Sequence, residues 1–338
     1  MSQPKISFTA RSPLDLVAVA PLTLGFRPAD SVVLLTFGPG EQFHARVDLP
    51  PGSREQAEVV AMLAEVVARH AVGRIAILLY TDDAGAALRF HDRAVPRFLG
   101  DGVEVIDVLR VTPDRFHAAA EPEDPGTPYD LSTHPFTAQQ VVRGQVVHDS
   151  RADLAALLEC RDQADASAVD EASRQLEEHL LALTRFARPD RVCADLADHG
   201  RWVQRTIRRH VRLGTPLSVD DAGRLLLLTS FVPLRDVAWA EMSRDEAARH
   251  IELWSDLVRR CPPDLLPAPA ALLAFASWLG GQGALAWCAL DRCAEVDPSY
   301  SMSDCVAQLL EAAVPPSVWT PIAESELPVF WPPDVEAS

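Results

Sequence analysis

The segment RIAILLYTDD, residues 74–83, is apolar at every position from 75 to 79. Successive side chains of a strand point to opposite faces. A strand that is greasy on both faces has to be covered on both, which happens in a parallel or mixed sheet packed between helices. The surroundings agree. Residues 54–71 place Val60, Leu63, Ala64, Val67 and Ala71 at helical spacing. A weaker helical pattern covers 84–99, and VEVIDVLRV, starting at Val103, reads as a second central strand. Strand, helix and strand in this order imply a right-handed parallel crossover. Upstream, Ser12 and Pro13 open a short helix as cap and first helical residue. SVVLLTF and FHARVDL flank Gly38, Pro39 and Gly40, a hairpin signal. Residues 1–150 are therefore expected to form an α/β domain with a mixed sheet and a crevice for a small ligand.

Beyond residue 150 the pattern is nearly all helical, with segments at 168–187, 189–213, 219–230, 244–261, 268–281, 283–296 and 301–313. This predicts an all-α domain over 151–313, followed by a proline-rich extended tail, 314–338, lying on a surface. Gly281, Ala286, Leu290, Cys293 and Pro298 follow the spacing of the second helix of a tetratricopeptide repeat. A single such unit makes a tetratricopeptide-like helical hairpin and no solenoid.

Charge narrows the partners. With 31 basic and 48 acidic residues the chain carries −17, which repels phosphate backbones and argues against nucleic acid and anionic membranes. Lys5 is the one lysine of the chain, and its N-terminal position removes Schiff-base and phosphate-loop chemistry that needs a positioned ammonium. The six cysteines, at 160, 193, 261, 288, 293 and 305, form no CxxC pair and read as small buried hydrophobes in a reducing cytoplasm. The apolar run 16–26 resembles the core of a signal peptide, but Asp15 abuts it and Pro21 interrupts it, so it reads as a helix packed on the sheet. No run of apolar residues is long enough for a membrane span.

Four constellations carry chemistry-bearing side chains. Open α/β sheets bind ligands beyond the carboxyl ends of their strands. Asp82 and Asp83 lie at one such end, with Arg110, Asp114 and Arg115 at or past the other. The loop PYDLSTHP supplies Asp130, Ser132, Thr133 and His134. A hydrolase reading would use Asp82, Asp83, Asp130 and His134, with a divalent cation as an option. The competing reading gives the aspartates to caps and turns. Along 201–212, Arg201, Arg205, Arg208 and Arg212 form a basic stripe, either a grip for a phosphate, local nucleic acid included, or for an acidic partner, or a solvated face. Sequence signatures of dinucleotide, phosphate-loop, zincin and nucleophile-elbow sites are absent, and no metal site or cofactor is assigned.

The stretches SPLDLVAVAPLTLGFRPADSVVLL, ARVDLPP, GTPYDLSTHPFTAQQVVRGQVV, VPLRDVAWAEMS and PAALLAFASWLGGQGALAWCALDRCAEVDPSYS together resemble an actinobacterial domain-of-unknown-function family (number 4192), over nearly the whole chain. The resemblance implies that the two halves travel together, and it brings no activity. Members often carry Trp and Cys just before the segment matching Gly126, Thr127 and Pro128, where this chain has FHAAAEPEDP. Within the resembling segments, Pro28, Asp30, Ser31, Arg46, Asp48, Arg235 and Asp236 are polar or turn positions. Arg46 and Asp48 share a strand face and are expected to meet Asp30 or Arg235 across a domain seam. The ligand set expected from these arguments is Asp30, Ser31, Arg46, Asp48, Arg110, Arg115 and Arg235, and the arginine stripe is the expected partner surface. The leading expectation is a cytoplasmic, noncatalytic binding or interaction protein for a small molecule or a protein partner, with a homodimer left open. The alternative is the hydrolase.

Overall fold

A computed structural model describes residues 10–38, 43–142, 146–184 and 189–331 and divides into two compact units, one ending at Leu154 and one beginning at Ala155. The first contains α1 (Pro13–Leu24), β1 (Ser31–Phe37), β2 (His44–Asp48), α2 (Ser53–Arg69), β3 (Arg74–Tyr80), α3 (Ala84–Gly100), β4 (Glu104–Val111), β5 (Arg115–Ala118), β6 (Thr127–Pro128) and α4 (Pro135–Val142). The short α5 (Arg151–Ala156) spans the division. Lys5 and the turn residues Pro39 and Gly40 lie outside the described residues.

Among the described residues the sheet has six strands in the order β2-β1-β3-β4-β5-β6. β1 runs antiparallel to both β2 and β3, and β3 is parallel to β4. β2, β3 and β4 therefore share one direction, and α2 and α3 both begin at the same edge of the sheet. The apolar run at 75–79 is buried throughout. Ile75, Ile77 and Leu79 face α2 and α3, where Val60, Leu63, Phe90 and Phe98 pack on them. Ala76, Leu78 and Tyr80 face α1 through Leu16, Val17 and Val19. Truncating a fully buried ring such as Phe90 or Phe98 to alanine would cost about 3–5 kcal/mol. The run read as a capped helix is α1. Ser12 accepts the Asp15 N–H at 3.2 Å, Pro13 is its first residue, and Gly25 closes it at φ 79°. The sequence reading missed β5 and β6, which are four and two residues long and too short to show a period.

The second unit is helical where described: α6 (Gln163–Thr184), α7 (Pro189–Leu213), α8 (Val219–Thr229), α9 (Val232–Ala240), α10 (Ala247–Arg260), α11 (Pro267–Leu279), α12 (Gly283–Ala294) and α13 (Ser301–Glu311). Every residue of α11 from Ala268 to Leu279 is buried, which makes it the central helix. Arg260 ties three segments together, donating to Asp165 of α6 at 2.6 Å, Asp256 of α10 at 3.0 Å and the Leu217 carbonyl before α8 at 3.1 Å. The expected extended tail is folded more tightly than its prolines suggested. Short 3-10 turns at Pro316–Val318, Glu324–Glu326 and Pro328–Phe330 bring Trp319 onto Trp239 at 5.5 Å and bury Leu327 and Val329.

α6 and α8 cross at Gly223, where an added Cβ would sit 2.9 Å from the Val169 carbonyl oxygen and 3.0 Å from both Ala172 Cβ and Ser173 N. Two of these neighbours are backbone and cannot yield cheaply. Gly223→Ala is expected to destabilise the protein by about 1–3 kcal/mol in urea denaturation, whereas Gly73→Ala, with open space around its Cβ position, should be near neutral.

Candidate functional site

The carboxyl ends of β2, β3 and β4, with the amino ends of α2 and α3, make the edge at which α/β sheets usually bind ligands. The structure brings part of the expected set together there. Arg46 donates to Ser31 Oγ at 2.8 Å and pairs with Asp48 at 2.6 Å. Exposed Asp30, at φ 45°, precedes Ser31 and accepts the Leu49 N–H on its carbonyl at 2.8 Å. Arg46 thus pairs within its own hairpin, in place of the expected pairing with Asp30 or Arg235. Arg235 belongs to α9, is 8% exposed, and is held by Asp236 at 2.7 Å and the Tyr300 hydroxyl at 3.2 Å.

The four groups of the hydrolase reading bond within separate local structures. Asp82 is exposed at the β3–α3 junction. Asp83 caps α3 by accepting the Ala86 N–H at 2.9 Å, a bond that is the leading cause of its lowered pKa. Asp130 accepts the Ser132 N–H at 2.8 Å and the Ser132 hydroxyl at 2.9 Å, and both bonds hold its pKa down. His134 is nearly buried. Its Nδ1 accepts the Phe136 N–H at 3.3 Å, so Nε2 carries the proton and donates to Asp15 Oδ1 at 3.2 Å. With both nitrogens engaged, the ring has no lone pair left for a substrate. Burial raises the pKa of Asp15, but the Arg11 N–H, Ser12 and His134 outweigh it and leave the carboxyl lowered. Among the described residues no group of three or more His, Cys, Asp or Glu could hold a metal ion.

The arginines divide by partner. Arg115 donates to the Pro125 and Gly126 carbonyls, each at 3.0 Å, and so clamps the loop before β6 onto β5. His117 completes that clamp through the Asp124 carbonyl at 2.9 Å, and a Cβ at Gly126 would strike its ring. Arg110, opposite His117 in the sheet, is 8% exposed and makes no hydrogen bond or ion pair among the described residues, although its charge helps to lower the pKa of Asp124. In the stripe, Arg208 is bidentate to Glu241 at 2.6 and 2.7 Å, and Arg201 pairs with Asp198 at 3.4 Å and lies over the Phe330 ring. Arg205 and Arg212 are exposed.

Sequence reasoning missed a groove of about 250 Å³ between the flank of α3 and β4. His91, Val95 and Leu99 form one wall; Val105, Asp107 and Val108, then 118–120, form the floor and far side. The β4 register shifts between Ile75 and Ala76 of β3, so Ile106 is an extra residue and Asp107 is turned toward the opening. Burial raises the Asp107 pKa, partly offset by the Val108 N–H. Arg110 follows Val108 by two residues on the same face of β4. The helical spacing of His91, Val95 and Leu99 was the available signal, but nothing in sequence says that a short β5 leaves this flank uncovered.

A family model described as a domain of unknown function (DUF4192) matches residues 13–317. No curated protein and no solved structure matches the chain.

Asp15→Ala is expected to leave the buried His134 N–H without an acceptor and cost about 1–3 kcal/mol near neutral pH. Because folding lowers the Asp15 pKa, the carboxylate's contribution is full above its ordinary value of 3.8 and is lost as pH falls below it. Denaturation curves of the two proteins should therefore converge in acid.

Proposed function

The chain belongs to this domain-of-unknown-function family, residues 13–317 of it, and we propose that it is a noncatalytic binding protein whose α/β unit takes a small ligand with an apolar body and an anionic group. The observation that carries the reading is Arg110, nearly buried and without a hydrogen bond or ion pair, its charge felt by Asp124 from beyond ion-pair distance, two residues along β4 from the Val108 floor of the groove. A ligand anion would give this guanidinium the direct charge-assisted hydrogen bonds that the described residues do not. The apolar body would lie on Val95, Leu99, Val105 and Val108, in a groove whose volume of about 250 Å³ falls a little below the roughly 300–1,000 Å³ typical of drug-sized ligand sites and so suits a smaller molecule. Asp30, Ser31, Arg46 and Asp48 form a second polar patch at the sheet edge and are assigned a supporting role.

The helical unit is assigned to a protein partner. The α11–α12 hairpin buries Ala286, Leu290 and Cys293, the positions that follow tetratricopeptide spacing, and we read it as one unit of that kind. The exposed Arg205 and Arg212 favour an acidic partner. Free, exposed Cys160 and Cys305 fit a reducing cytoplasm, and the arginine bias fits an actinobacterial source. No described helix is long and apolar enough to cross a membrane. The hydrolase alternative now rests on the Asp15–His134 pair, and it would require His134 Nδ1 to leave the Phe136 N–H.

Calorimetric titration with hexanoate and with hexanol separates these readings. Saturable binding of the acid, about tenfold or more weaker for the alcohol and for Arg110→Met, is expected. Equal affinity for acid and alcohol, or an unaffected Arg110→Met, would remove the anion site. Turnover of ester substrates that is abolished by His134→Gln would establish the hydrolase instead.

A further inference from the structure

β2 is an edge strand: β1 is its one neighbour in the sheet, and no described residue pairs with its outer side. The backbone groups presented there follow from two bonds at the strand's ends. Leu49 N–H donates to the Asp30 carbonyl at 2.8 Å, and Phe43 N–H donates to Thr36 Oγ1 at 3.1 Å. Backbone direction alternates along a strand, so Phe43, Ala45, Val47 and Leu49 turn their N–H and C=O groups toward β1. His44, Arg46 and Asp48 turn theirs outward. The opposite edge of the sheet is blunted, since β6 is two residues long and one of them is Pro128. β2 contains neither proline nor bulge, and its open ladder runs until Pro50, which lacks an N–H.

Both faces are unfinished at this edge. On the α2 side, Phe43, Ala45, Val47 and Leu49 pack against the core yet are only half-buried. On the α1 side, Arg46 uses Nε for Ser31 and Nη2 for Asp48 Oδ1, which leaves Arg46 Nη1 and Asp48 Oδ2 unengaged. The Asp48 side chain is 82% exposed. Charged residues on an edge usually repel a second strand. Here they have opposite signs two residues apart on one face, and such a pair complements its own antiparallel image. The outward groups allow even-numbered residues to pair only with even-numbered ones. With Arg46 on a two-fold axis, two guanidinium groups would face each other, which is unfavourable. With Val47 on the axis, Arg46 of each copy opposes Asp48 of the other, and Ala45 opposes Leu49.

We propose that β2 is a dimerisation edge. A second copy of this chain adds its own β2 antiparallel across a two-fold axis at Val47, joining two six-stranded sheets into one continuous sheet. Each Arg46 and the opposing Asp48 exchange both backbone hydrogen bonds, and their side chains close a ring of alternating charge. Val47 meets its own copy on the apolar face. β1 and β3 separate β2 from the β4 groove, so the dimer and the ligand site can fail independently.

Sedimentation equilibrium of the full chain tests this, the mass being expected to rise with concentration from that of a monomer toward twice that value. Arg46→Asp and Asp48→Arg should each weaken dimerisation by about tenfold or more, because each sets like charges opposite one another. Combining the two substitutions restores opposite signs and should restore the dimer. Val47→Cys, in a chain with Cys160→Ser and Cys305→Ser, should cross-link on oxidation, since residues facing each other at the axis lie about 4.5 Å apart at Cα, within disulfide reach. Ala45→Cys in the same background should not. A monomeric mass up to about 100 μM would overturn the proposal. So would a dimer indifferent to both charge reversals, or a Val47→Cys chain that forms no cross-link.

Discussion

The architecture of the first unit depends on β3 having no solvated face. Five consecutive apolar side chains alternate between two cores, so helices must occupy both sides of the sheet before any of the burial is realised. That requirement sets the order of the chain. α1 has to reach one face from upstream, while α2 and α3 reach the other as crossovers on either side of β3. The same requirement places the starts of α2 and α3, the end of β2 and the end of β4 along one rim, because every strand parallel to β3 is followed by chain that leaves at that rim. The location of the polar residues at the rim follows from packing.

Legibility in the sequence followed the strength of the periodic signal. α7 carries apolar and basic residues in clean helical stripes over 25 residues, and both its ends were read correctly. β3 was legible because it violates alternation in an interpretable way. α9 escaped notice because Pro233 and its short run of nine residues resemble a loop. β5 and β6 escaped because pairing with a neighbour, rather than any pattern of their own, makes them strands. The site was harder to read. Asp83, Asp130 and His134 have the right chemical types, but a carboxylate beside free backbone N–H groups is satisfied locally, at no cost in long-range organisation. Which arginine keeps a free guanidinium depends on distant partners. Arg115 found two carbonyls and Arg235 found a carboxylate and a phenol, whereas Arg110 found none.

The groove of the α/β unit owes its character to packing. In the α/β unit the opening exists because a helix is wider than the strands beneath it and the next strand is short, so the floor is apolar and the polar groups lie at its margins. A chain with almost no lysine relies on guanidinium groups for every fixed positive charge, and these are planar, strongly directional donors. Many of the described arginines accordingly have a carboxylate or carbonyl acceptor, and those without one are conspicuous.

α11 has a consequence for how the chain is made. It is sheathed on all sides in the finished unit, and part of that sheath, α12, α13 and the turns around Trp319, is encoded after it. During synthesis the segment PAPAALLAFASWL leaves the ribosome with half of its cover still untranslated. Partly covered apolar segments of this kind are the surfaces on which nascent chains aggregate or recruit chaperones. The order of the gene therefore leaves the greasiest helix of this protein partly uncovered for as long as about fifty further residues take to emerge, a few seconds at ordinary elongation rates.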